Sequence, residues 1–577
     1  MRFLLVTPPL TQLNTPYPAT AQLKGFLQAE GHHVEQADLS IELVDNILKE
    51  DFLKSIGLSE QAKCIEQVKR FLHGEDDTLA QRIANRSLLP EGKRFAQMAD
   101  LEWSFGTAGT IDKARYLATL FIEEIADHIR EKIDPHFDLI RYAEFLSNDA
   151  PTFDPIEKAL GEVPSEIERL YLQLLDQHIE QCKPDIVGFA IPFPGCLFAA
   201  LRCAQHIKQH GGETVVLGGG FPTTEWRSLN EPRIWKYADF IVLDDGEMAL
   251  LEVAKLVSQG TPHCHTPISM PYSEAGVRAI DFTGLPLEKY LSLMETANPM
   301  HRLWSCGRWN KMMVAHGCYW HRCAFCDTTL PYIGKYHSPT AANVVDRMEQ
   351  AIEQTRITGF HFVDEALPPK LLEDICQEIL RRRLVVSFWG NIRFEKAYAP
   401  QLCDLMSEAG CIAVSGGLEV ASDRLLKLMD KGVTIQQAVD CCRNLRNAGI
   451  MVHTYLMYGF PTETLKETFD ALEVVRQMFD EGIIQSAFWH RFAMTCHSPA
   501  GQHPEHFSTK ATSHPHPFCN NEIDWEQKFD YDLDVVGRGL SFATYNYMHD
   551  IGLDEPLRRW FPDLKTRETR SRTKKRP

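Results

Sequence analysis

Three cysteines near the middle of the chain have the clearest capacity for chemistry. Cys318, Cys323 and Cys326 follow the pattern C-x4-C-x2-C and fall within nine residues. Thiolates hold iron–sulfur clusters, and bacterial ferredoxins use four cysteines for a [4Fe–4S] cluster. A loop with three leaves one iron without a protein ligand, as a catalytic zinc keeps one open position. The sequence therefore predicts a [4Fe–4S] cluster whose open iron can bind a substrate or cofactor.

Two other interpretations of the three cysteines remain open. They could hold a structural zinc ion, with His316 or His321 as fourth ligand, or no metal at all. Zinc sites of this kind usually pair two ligand couples far apart in sequence, and no second couple has a matching spacing. A second metal site is conceivable further on, but irregular spacing and prolines favour an ordinary loop for Cys496, His497, His503, His506, His514, His516 and Cys519.

The elements that must position these cysteines form a series of alternating strands and helices. Apolar segments predict strands near 312–315, 360–363, 385–389, 412–415, 451–457 and 486–491. Helices between them bury one face, as Val344, Val345, Met348 and Ile352 indicate. Six such units suit a partial or full (β/α) barrel, in which chemistry takes place at the C-terminal ends of the strands. The cysteine loop directly follows the first of these strands.

An earlier alternating series predicts a Rossmann-like, doubly wound parallel sheet. Its strands are expected at 2–7, 34–38, 185–191, 214–217 and 240–243, with a polar helical insertion at about 41–183. Ligands of such sheets bind beyond the carboxyl ends of the strands. Those ends carry Pro8 and Pro9 and the segments 191–195, 218–220 and 244–247.

These patterns divide the chain into four parts. We expect a Rossmann-like domain at 1–258, a linker at 259–305, a barrel at 306–499 and a mixed C-terminal segment at 500–577. The last stretch, 565–577, is strongly basic and reads as a disordered tail, with a weak nucleic-acid contact as the alternative.

The overall composition excludes several classes of protein. Hydrophobic residues make up 44% and charged residues 24%, which excludes global disorder. Acidic residues outnumber basic ones by 78 to 60, so nucleic acid is an unfavoured partner. The longest uncharged run, 186–201, is shorter than the roughly 20 residues that span a bilayer. With nothing resembling a signal peptide at the N-terminus, we expect a cytoplasmic protein with reduced thiols and no membrane partner.

The cysteine loop and the motifs around it resemble the radical S-adenosylmethionine (SAM) superfamily. An aromatic residue, Phe325, precedes the last cysteine, as in that family. The segments FHFVDEALPP (360–369), SFWGNIRF (387–394), AVSGGLEVASDRLLKLMDKG (413–432) and HTYLMYGFPTET (453–464) resemble its second to fifth strands. The N-terminal half resembles the cobalamin-binding domain that precedes the barrel in one subgroup, through GGGFPTT and DDGEMALLE. The resemblance covers about two-thirds of the chain and implies a Rossmann-like domain followed by a partial (β/α)6 radical SAM barrel.

The resemblance also implies cofactors and contact residues. The three cysteines would hold the cluster, whose open iron chelates SAM. SAM would lie against Phe325, Asp364, Glu365, Asn391, Arg393, Gly417, Glu419, Gly459 and Pro461. Of these, Asp364 and Glu365 would bind the amino group of SAM, with a simple loop role as the alternative. Asn391 and Arg393 would contact the ribose or the carboxylate of SAM, with an ion pair at the edge of the core as the alternative. Cobalamin would lie against Pro9, Tyr17, Pro18, Gly195, Gly218, Gly219, Gly220 and Glu247.

Two departures from the family pattern affect these expectations. The usual spacing is C-x3-C-x2-C, so one extra residue separates Cys318 from Cys323, and a loop absorbs such an insertion at little cost. The motif D-x-H-x-x-G, which supplies a histidine to cobalamin, has only one near match, at Asp134 and His136 with Leu139 in place of glycine. Cobalamin would therefore lack a histidine from that motif on its lower face.

The resemblance implies a cobalamin-dependent radical SAM enzyme. It would use a 5′-deoxyadenosyl radical to methylate an unactivated carbon or phosphorus of a small molecule or peptide, with flavodoxin or ferredoxin as electron donor. One alternative is a radical rearrangement or cyclisation without methyl transfer. Another is a tRNA methylthiotransferase-like enzyme, although the N-terminal cysteines show no grouping for a second cluster. A non-catalytic sensor that binds an iron–sulfur cluster and cobalamin is the alternative from a different class.

Overall fold

The computed structural model of the chain contains two parallel six-stranded sheets. It describes residues 1–97, 100–106, 109–147, 152–273, 279–513 and 515–564. The predicted basic tail at 565–577 and His514 lie outside these residues. In the described residues, none of the helices combines the length and apolar character needed to cross a bilayer.

The first sheet has the strand order β2-β1-β3-β4-β5-β6 and all of its paired strands are parallel. Its strands are β1 (Arg2–Thr7), β2 (His33–Asp38), β3 (Ile186–Ala190), β4 (Thr214–Gly218), β5 (Phe240–Leu243) and β6 (Ile268–Ser269). The helices that cover it are α1 (Pro18–Ala29), α12 (Leu197–His210), α13 (Gly220–Glu225) and α14 (Gly246–Ser258). All five residues of β3 are buried, as expected for a strand covered on both faces. The Rossmann-like sheet is confirmed.

The region between β2 and β3 is helical, as predicted. It holds α2 (Leu39–Ile47), α3 (Glu50–Ser55), α4 (Ser59–Ala62), α5 (Ile65–Leu72), α6 (Ala80–Ala84), α7 (Leu101–Phe105), α8 (Thr110–Lys132), α9 (Glu144–Ser147), α10 (Asp154–Leu160) and α11 (Glu166–Cys182). The apolar faces of these helices share one core with the first sheet. Asp38 caps α2 by accepting from the backbone N–H groups of Ser40 and Ile41. The insertion is therefore an integral part of the first half of the molecule.

The second sheet has the order β12-β11-β10-β9-β8-β7 and is also parallel. Its strands are β7 (Asn310–Met312), β8 (Gly359–Phe362), β9 (Ser387–Ile392), β10 (Cys411–Glu419), β11 (Met451–Tyr458) and β12 (Ser486–Arg491). Its helices are α16 (Pro331–Gly334), α17 (Ala341–Thr355), α18 (Pro369–Arg382), α19 (Pro400–Glu408), α20 (Asp423–Leu428), α21 (Ile435–Asn447) and α22 (Leu465–Asp480). Because β7 and β12 lie at opposite ends of this order, the barrel is a partial one. The predicted (β/α)6 architecture is confirmed.

The described parts of the segment predicted to be a linker, 259–273 and 279–305, contain secondary structure and buried side chains. β6 pairs with β5 and extends the first sheet, and α15 (His301–Ser305) follows at the base of the barrel. Tyr290 and Leu291 pack in the first core, whereas Ile280 and Phe282 pack in the second. Nothing in the sequence indicated these elements, because a two-residue strand and single buried side chains produce no periodicity. The assignment of 259–305 as a linker stays a prediction.

The C-terminal segment returns to both halves of the molecule. It contains α23 (Pro499–Gln502) and α24 (Leu533–Tyr547), and α24 packs on β12, where the Trp489 indole N–H donates to Thr544 Oγ1 at 2.8 Å. Between these helices, Phe518 packs against Phe153 and Trp226 of the first half, with ring centroids 5.1 and 5.8 Å apart.

Candidate active site at the cysteine loop

The cysteine loop begins directly beyond β7, at a turn that requires glycine. Gly317 has a φ of +72°, and a side chain on it would overlap the backbone carbonyl of Lys335. His316 exchanges two backbone hydrogen bonds with His337, at 2.8 and 3.0 Å, and the Cys318 N–H donates to Ile333 O at 3.0 Å. The segment after the loop therefore fixes where the first cysteine lies.

Asp364, at the end of β8, fixes the same turn from the other side. Its buried carboxylate accepts the backbone N–H groups of Val314, at 2.9 and 3.1 Å, and of Ala315, at 2.6 Å. Burial raises the pKa of Asp364 to about 6. These hydrogen bonds make Asp364 an anchor of the loop, which favours the alternative of a loop role, and its contact with the amino group of SAM stays a prediction. Its neighbour Glu365 is exposed.

Cys323 and Cys326 have thiols in contact with each other. The Cys326 N–H donates to Cys323 O at 3.2 Å, and the Cys326 thiol donates to the Cys323 sulfur. That hydrogen bond, together with the positive charges of Lys431 and Arg393, lowers the pKa of the Cys323 thiol to about 6. The pair therefore loses its first proton below the ordinary range of a thiol, and a thiolate is the form that binds metal.

Two buried cations surround these thiols. Arg393 Nη1 lies 3.9 Å from Cys323 Sγ, while its Nη2 donates to Lys431 O at 2.6 Å. Lys431 donates to Glu419 Oε1 at 2.6 Å and lies 5.6 Å from the centroid of Phe325. A cluster with three thiolate ligands carries negative charge, and these cations offset it in a region of low dielectric constant. The residues present therefore fit an anionic cluster.

The extra residue between Cys318 and Cys323 is accommodated by a strained but well-anchored loop. His321 adopts a left-handed conformation with φ of +37°. The Trp320 indole N–H donates to Asp430 O at 2.7 Å, and Arg322 Nε donates to the Asp430 carboxylate at 2.9 Å. The guanidinium of Arg393 lies over the Trp320 ring at 4.4 Å from its centroid. The insertion therefore produces a clamp between this loop and the segment after α20.

The structure does not support a zinc site made with either histidine. His316 Nδ1 lies 3.0 Å from Lys335 O and its Nε2 lies 2.9 Å from an Asp245 carboxylate oxygen, so both ring nitrogens face acceptors. His321 is exposed and its Nδ1 contacts Cys318 O at 3.0 Å. Nowhere in the described ranges do three His, Cys, Asp or Glu side chains come close enough to share one metal ion. A cluster is different, because each thiolate binds its own iron.

In the His-rich segment, which the sequence predicts to be an ordinary loop rather than a second metal site, both cysteine thiols bond backbone carbonyls. The Cys496 thiol donates to Asn520 O at 3.1 Å, and the Cys519 thiol donates to Ser147 O at 3.2 Å. His503 and His506 are exposed beside Glu505. The interpretation as an ordinary loop agrees with these contacts.

The other predicted SAM residues lie at the C-terminal ends of β9, β10 and β11. The Asn391 amide donates to Asp364 O at 3.0 Å. Glu419 has a φ of +57°, and a side chain on Gly417 would overlap its carboxylate. These residues share the rim of the barrel with the cysteines. Arg393 contacts Cys323, Trp320 and Lys431. Its Nε also lies 3.9 Å from Glu395 Oε2, which favours the alternative of an ion pair at the edge of the core.

Gly459 and Pro461 lie in a turn held by a buried acid. Gly459 has a φ of +79°. Glu463 Oε2 accepts the N–H groups of Gly459, at 2.5 Å, and Phe460, at 3.2 Å, while Oε1 accepts the Thr468 hydroxyl at 2.8 Å. Burial raises the pKa of Glu463 to about 7. The turn is therefore preorganised before any ligand binds.

A cavity of about 280 Å³ lies at the carboxyl edge of the first sheet. Four predicted cobalamin residues line it: Tyr17, Gly218, Gly219 and Glu247. Gly219 has a φ of +113°, and a side chain there would lie 2.7 Å from Ile191 O. Burial raises the pKa of Glu247 to about 7, and Glu247 Oε1 accepts from the Gln22 amide at 2.8 Å. Met313, beyond β7, also lines this cavity, so it opens toward the barrel.

The remaining four predicted cobalamin residues, Pro9, Pro18, Gly195 and Gly220, do not line this cavity. Gly195 lines a separate cavity of about 410 Å³, and a side chain on Gly220 would lie 2.8 Å from Pro192 O. In the insertion, the His136 ring packs against Phe198, with centroids 5.6 Å apart, and Asp134 accepts from the Ser165 hydroxyl at 2.6 Å. The near match to the histidine motif therefore has structural contacts.

Sequence reasoning missed the roles of four residues. They are Lys311, Lys431, Glu463 and His316, the last of which contacts Asp245. Lys431 and Glu463 lie inside the quoted motifs. The available signal was a charged residue near a glycine in a turn, since Lys431 precedes Gly432 after α20 and Glu463 follows the turn at Gly459. The partners of Lys311 and His316 are Gln12 and Asp245, which lie 299 and 71 residues away. No local pattern indicates such pairs.

Comparisons with known proteins agree with this geometry. Residues 312–475 match the Radical SAM superfamily. An uncharacterized methyltransferase of Pyrococcus horikoshii is 24% identical over 313 residues, 52% of this chain and 66% of that protein. The anaerobic magnesium-protoporphyrin IX monomethyl ester cyclase of Rubrivivax gelatinosus is 27% identical over 319 residues, 51% of this chain and 55% of that protein. The chain thus spans between half and two-thirds of these relatives.

A solved structure shows the same fold. It is the radical S-adenosylmethionine methyltransferase TsrM from Kitasatospora setae with tryptophan substrate and a SAM analog bound. The TM-score is 0.51 at 16% identity, and the match covers 87% of this chain and 75% of that one. The cysteine loop beyond β7 lies within residues 312–475, the part of this chain that matches the Radical SAM superfamily.

Proposed function

We propose that this chain is a cobalamin-dependent radical SAM enzyme that transfers a methyl group to an unactivated carbon or phosphorus of a small molecule or peptide. The observation that carries the proposal is the position of the cysteine loop. It projects from the C-terminal end of β7 toward the carboxyl edge of the first sheet, where Asp245 meets His316 and a cavity is open. When bound, the [4Fe–4S] cluster would supply the electron that cleaves SAM to methionine and a 5′-deoxyadenosyl radical, and cobalamin would supply the methyl group.

The residues of the barrel rim have separate tasks in this proposal. Cys318, Cys323 and Cys326 hold the cluster, and Arg393 and Lys431 offset its negative charge. Glu365 is exposed at the end of β8, and Glu419 Oε1 is already bound to Lys431, which leaves Oε2 for a polar group of SAM. The turn at Gly459 presents backbone groups to adenine, in a conformation that Glu463 maintains.

An apolar shell beside the cluster loop excludes water from this region. Ala324 and Val420 pack with Phe460, Phe492 and Met494, all of which are buried. Exclusion of water strengthens electrostatic interactions in the site and prevents side reactions of a reactive radical. The protein's contribution is thus positioning and shielding, while the cofactors supply the difficult chemistry.

The first sheet would hold cobalamin at its carboxyl edge. Gly218 and Gly219 bring the backbone to the surface of the cavity there, and Tyr17 and Glu247 supply polar groups. Burial, together with Cys196 and Glu365, raises the pKa of Tyr17 to about 12, so this hydroxyl stays protonated and can donate to an amide or phosphate oxygen. The side chain of His136 is engaged elsewhere, so no histidine of the D-x-H-x-x-G type is offered to cobalt.

The names of the relatives support the reaction class. One is called a methyltransferase and another a cyclase, so a radical cyclisation without methyl transfer is the second candidate. TsrM was solved with tryptophan, which supports a small organic substrate. A flavodoxin- or ferredoxin-like donor would reduce the cluster.

The proposal is tested by reconstituting the protein anaerobically with iron, sulfide and hydroxocobalamin, then adding SAM and dithionite. We expect 5′-deoxyadenosine and methionine, and a corrin absorbance that stays with the protein through gel filtration.

Two variants serve as controls. Cys326→Ser should lose the cluster absorbance and the formation of 5′-deoxyadenosine. Cys264→Ser changes a half-buried cysteine away from the loop and should keep both. Absence of 5′-deoxyadenosine from well-loaded protein with several reductants would refute the enzyme assignment, and a bound cluster and corrin without SAM cleavage would favour a sensor.

A further inference from the structure

A row of polar and aromatic side chains lines the inner face of the barrel below the cysteine loop. Lys311 of β7, His361 of β8 and Trp389 of β9 are consecutive partners in the strand register. The rings of His361 and Trp389 stack with centroids 3.6 Å apart. Trp389 packs with Trp309 and Met300, which come from the base of the barrel, whereas the alternate strand residues pack outward against the helices. The row therefore faces the interior.

Lys311 is a half-buried lysine that has no counter-ion among the described residues. Its ammonium donates to Gln12 Oε1, in the loop after β1, and none of the described carboxylates lies within ion-pair distance. Burial alone lowers the pKa of Lys311 to about 7. Burying an ammonium without an opposite charge is costly, and binding an anion removes much of that cost. The arrangement is therefore suited to a ligand that carries a negative charge.

Ring nitrogens in the same interior have no hydrogen-bond partner within the part of the chain that the structure describes. His361 Nδ1, Trp389 Nε1 and His453 Nε2 are buried without a hydrogen bond. Trp389 and His453 are 1% and 2% exposed. Burial and the charge of Lys311 lower the pKa of His361 to about 2, and burial together with His301 lowers that of His453 to about 3, so both rings are neutral. Buried polar atoms are nearly always hydrogen-bonded in complete structures, so these atoms indicate a polar ligand.

A cavity of about 410 Å³ adjoins this interior, which is a volume suited to a small organic molecule. Gln12, the partner of Lys311, lines it. So does Trp304, whose ring lies 6.1 Å from Trp389 and 4.7 Å from His453. Among the charged groups that line the cavity, Arg141 bonds Glu144 at 2.8 Å, and burial raises the pKa of Glu295, which disfavours its negative charge. Lys311 lies beside this cavity, and none of the described salt bridges includes it.

We propose that this interior binds an aromatic carboxylate, with Lys311 holding the carboxylate and the rings of Trp304, Trp389 and His361 enclosing the aromatic group. This inference rests on the proposed function, since it names the class of molecule that the enzyme modifies. It makes Lys311 a substrate-binding residue rather than a ligand of SAM or cobalamin.

The test compares two probes that differ in charge, 1-naphthylacetate and 1-naphthylacetamide. Their affinities for the anaerobically reconstituted protein are measured by isothermal titration calorimetry. We expect the carboxylate to bind at least tenfold more tightly than the amide. Lys311→Met should abolish this preference, Lys311→Arg should retain it, and Lys370→Met, an exposed lysine on α18, should have no effect. Equal affinities of the two probes for the wild-type protein would overturn the inference.

A second variant covers the case in which Lys311→Met fails to fold. Gln12→Glu places a carboxylate on Lys311 from within the chain, so it should compete with the anionic probe and leave the amide unaffected. Unchanged carboxylate binding in this variant would contradict the assignment. Saturating SAM or hydroxocobalamin should leave probe affinity unchanged, and displacement by either would assign the anion site to that cofactor. Since binding is measured without turnover, its outcome is independent of whether 5′-deoxyadenosine forms.

Discussion

Arg393 Nη1 lies 3.9 Å from Cys323 Sγ, and its guanidinium is covered by the ring of Trp320. The side chain is 4% exposed, so its charge acts on the thiolate with little screening by solvent. Hydrogen bonds and charge near cluster sulfurs set the reduction potential of iron–sulfur clusters. The arginine therefore favours the more negative, reduced form of the cluster.

We expect Arg393→Met to lower the reduction potential of the reconstituted cluster by about 60 mV, which is a tenfold change for a one-electron couple. A redox titration followed by electron paramagnetic resonance measures this. Arg393→Lys keeps the charge and should recover most of the shift, and Arg443→Met, on the exposed face of α21, serves as control. A wild-type potential in Arg393→Met would show that this charge does not act on the cluster.

Gly432 should be essential for the clamp on the cysteine loop. It has a φ of +77°, and a side chain would overlap the ring of Trp320. Gly432→Ala should destabilise the protein by about 1–3 kcal/mol and reduce the iron bound per chain, because Trp320 must move. Gly449 is a matched control, since its φ is +81° but its surroundings are open. Gly449→Ala should lower the thermal stability through backbone strain but bind as much iron per chain as the wild-type protein. Equal iron content in the Gly432→Ala and Gly449→Ala variants would argue against the clamp.

Glu463 predicts a pH dependence of stability. Its folded-state pKa of about 7 lies above the ordinary value of 4.5, so the folded protein binds more protons than the unfolded chain between these values. Stability should therefore fall as the pH rises from about 4.5 to 7, by on the order of 2–3 kcal/mol from this group. In Glu463→Gln the amide oxygen can accept the N–H groups of Gly459 and Phe460 without a charge, while the amide NH2 group donates to the Thr468 hydroxyl oxygen. Urea titrations at several pH values should show a weaker fall in this variant, and parallel pH profiles for the two proteins would contradict the prediction.

The pair between His316 and Asp245 joins the two halves of the molecule. Burial opposes the charged imidazole, but Asp245 outweighs it and raises the pKa of His316. A double-mutant cycle with His316→Gln and Asp245→Asn should give a coupling energy of about 1–3 kcal/mol in thermal unfolding. His206 and Asp176 form a more exposed pair at 2.8 Å and should give less than about 1 kcal/mol. Additive effects of the first two substitutions would mean that the contact does not couple the halves.

The parts of the fold that repeat along the sequence were predictable. Strands β1, β5 and β12 were predicted at their observed bounds because apolar runs alternate with amphipathic helices. The cysteine loop was predicted because its ligands are close in sequence. The start of β7 was placed two residues late, since the inward-facing Lys311 interrupts the apolar run that marks a strand.

The tasks of individual polar residues were less predictable, because their partners come from distant segments. Asp364 was expected to face SAM, yet it accepts from backbone groups 49 and 50 residues earlier. Arg393 was expected to meet ribose or a carboxylate or to form an ion pair, and nothing in the sequence indicated its contacts with Cys323 and with the Lys431 carbonyl, 70 and 38 residues away. A strand-end position indicates the rim of the barrel but not which neighbour a side chain meets.

The return of the C-terminal segment to the first half has a consequence for dividing this protein. The Asn230 N–H donates to Pro517 O at 3.0 Å, the Asn521 N–H donates to Glu225 at 2.9 Å, and Phe518 covers Trp226. A chain cut after residue 499 would uncover that tryptophan and its aromatic neighbour Phe153. We therefore expect neither the first half of the molecule nor the barrel to be a soluble fragment by itself. The cofactor sites of this protein must be studied in the intact polypeptide.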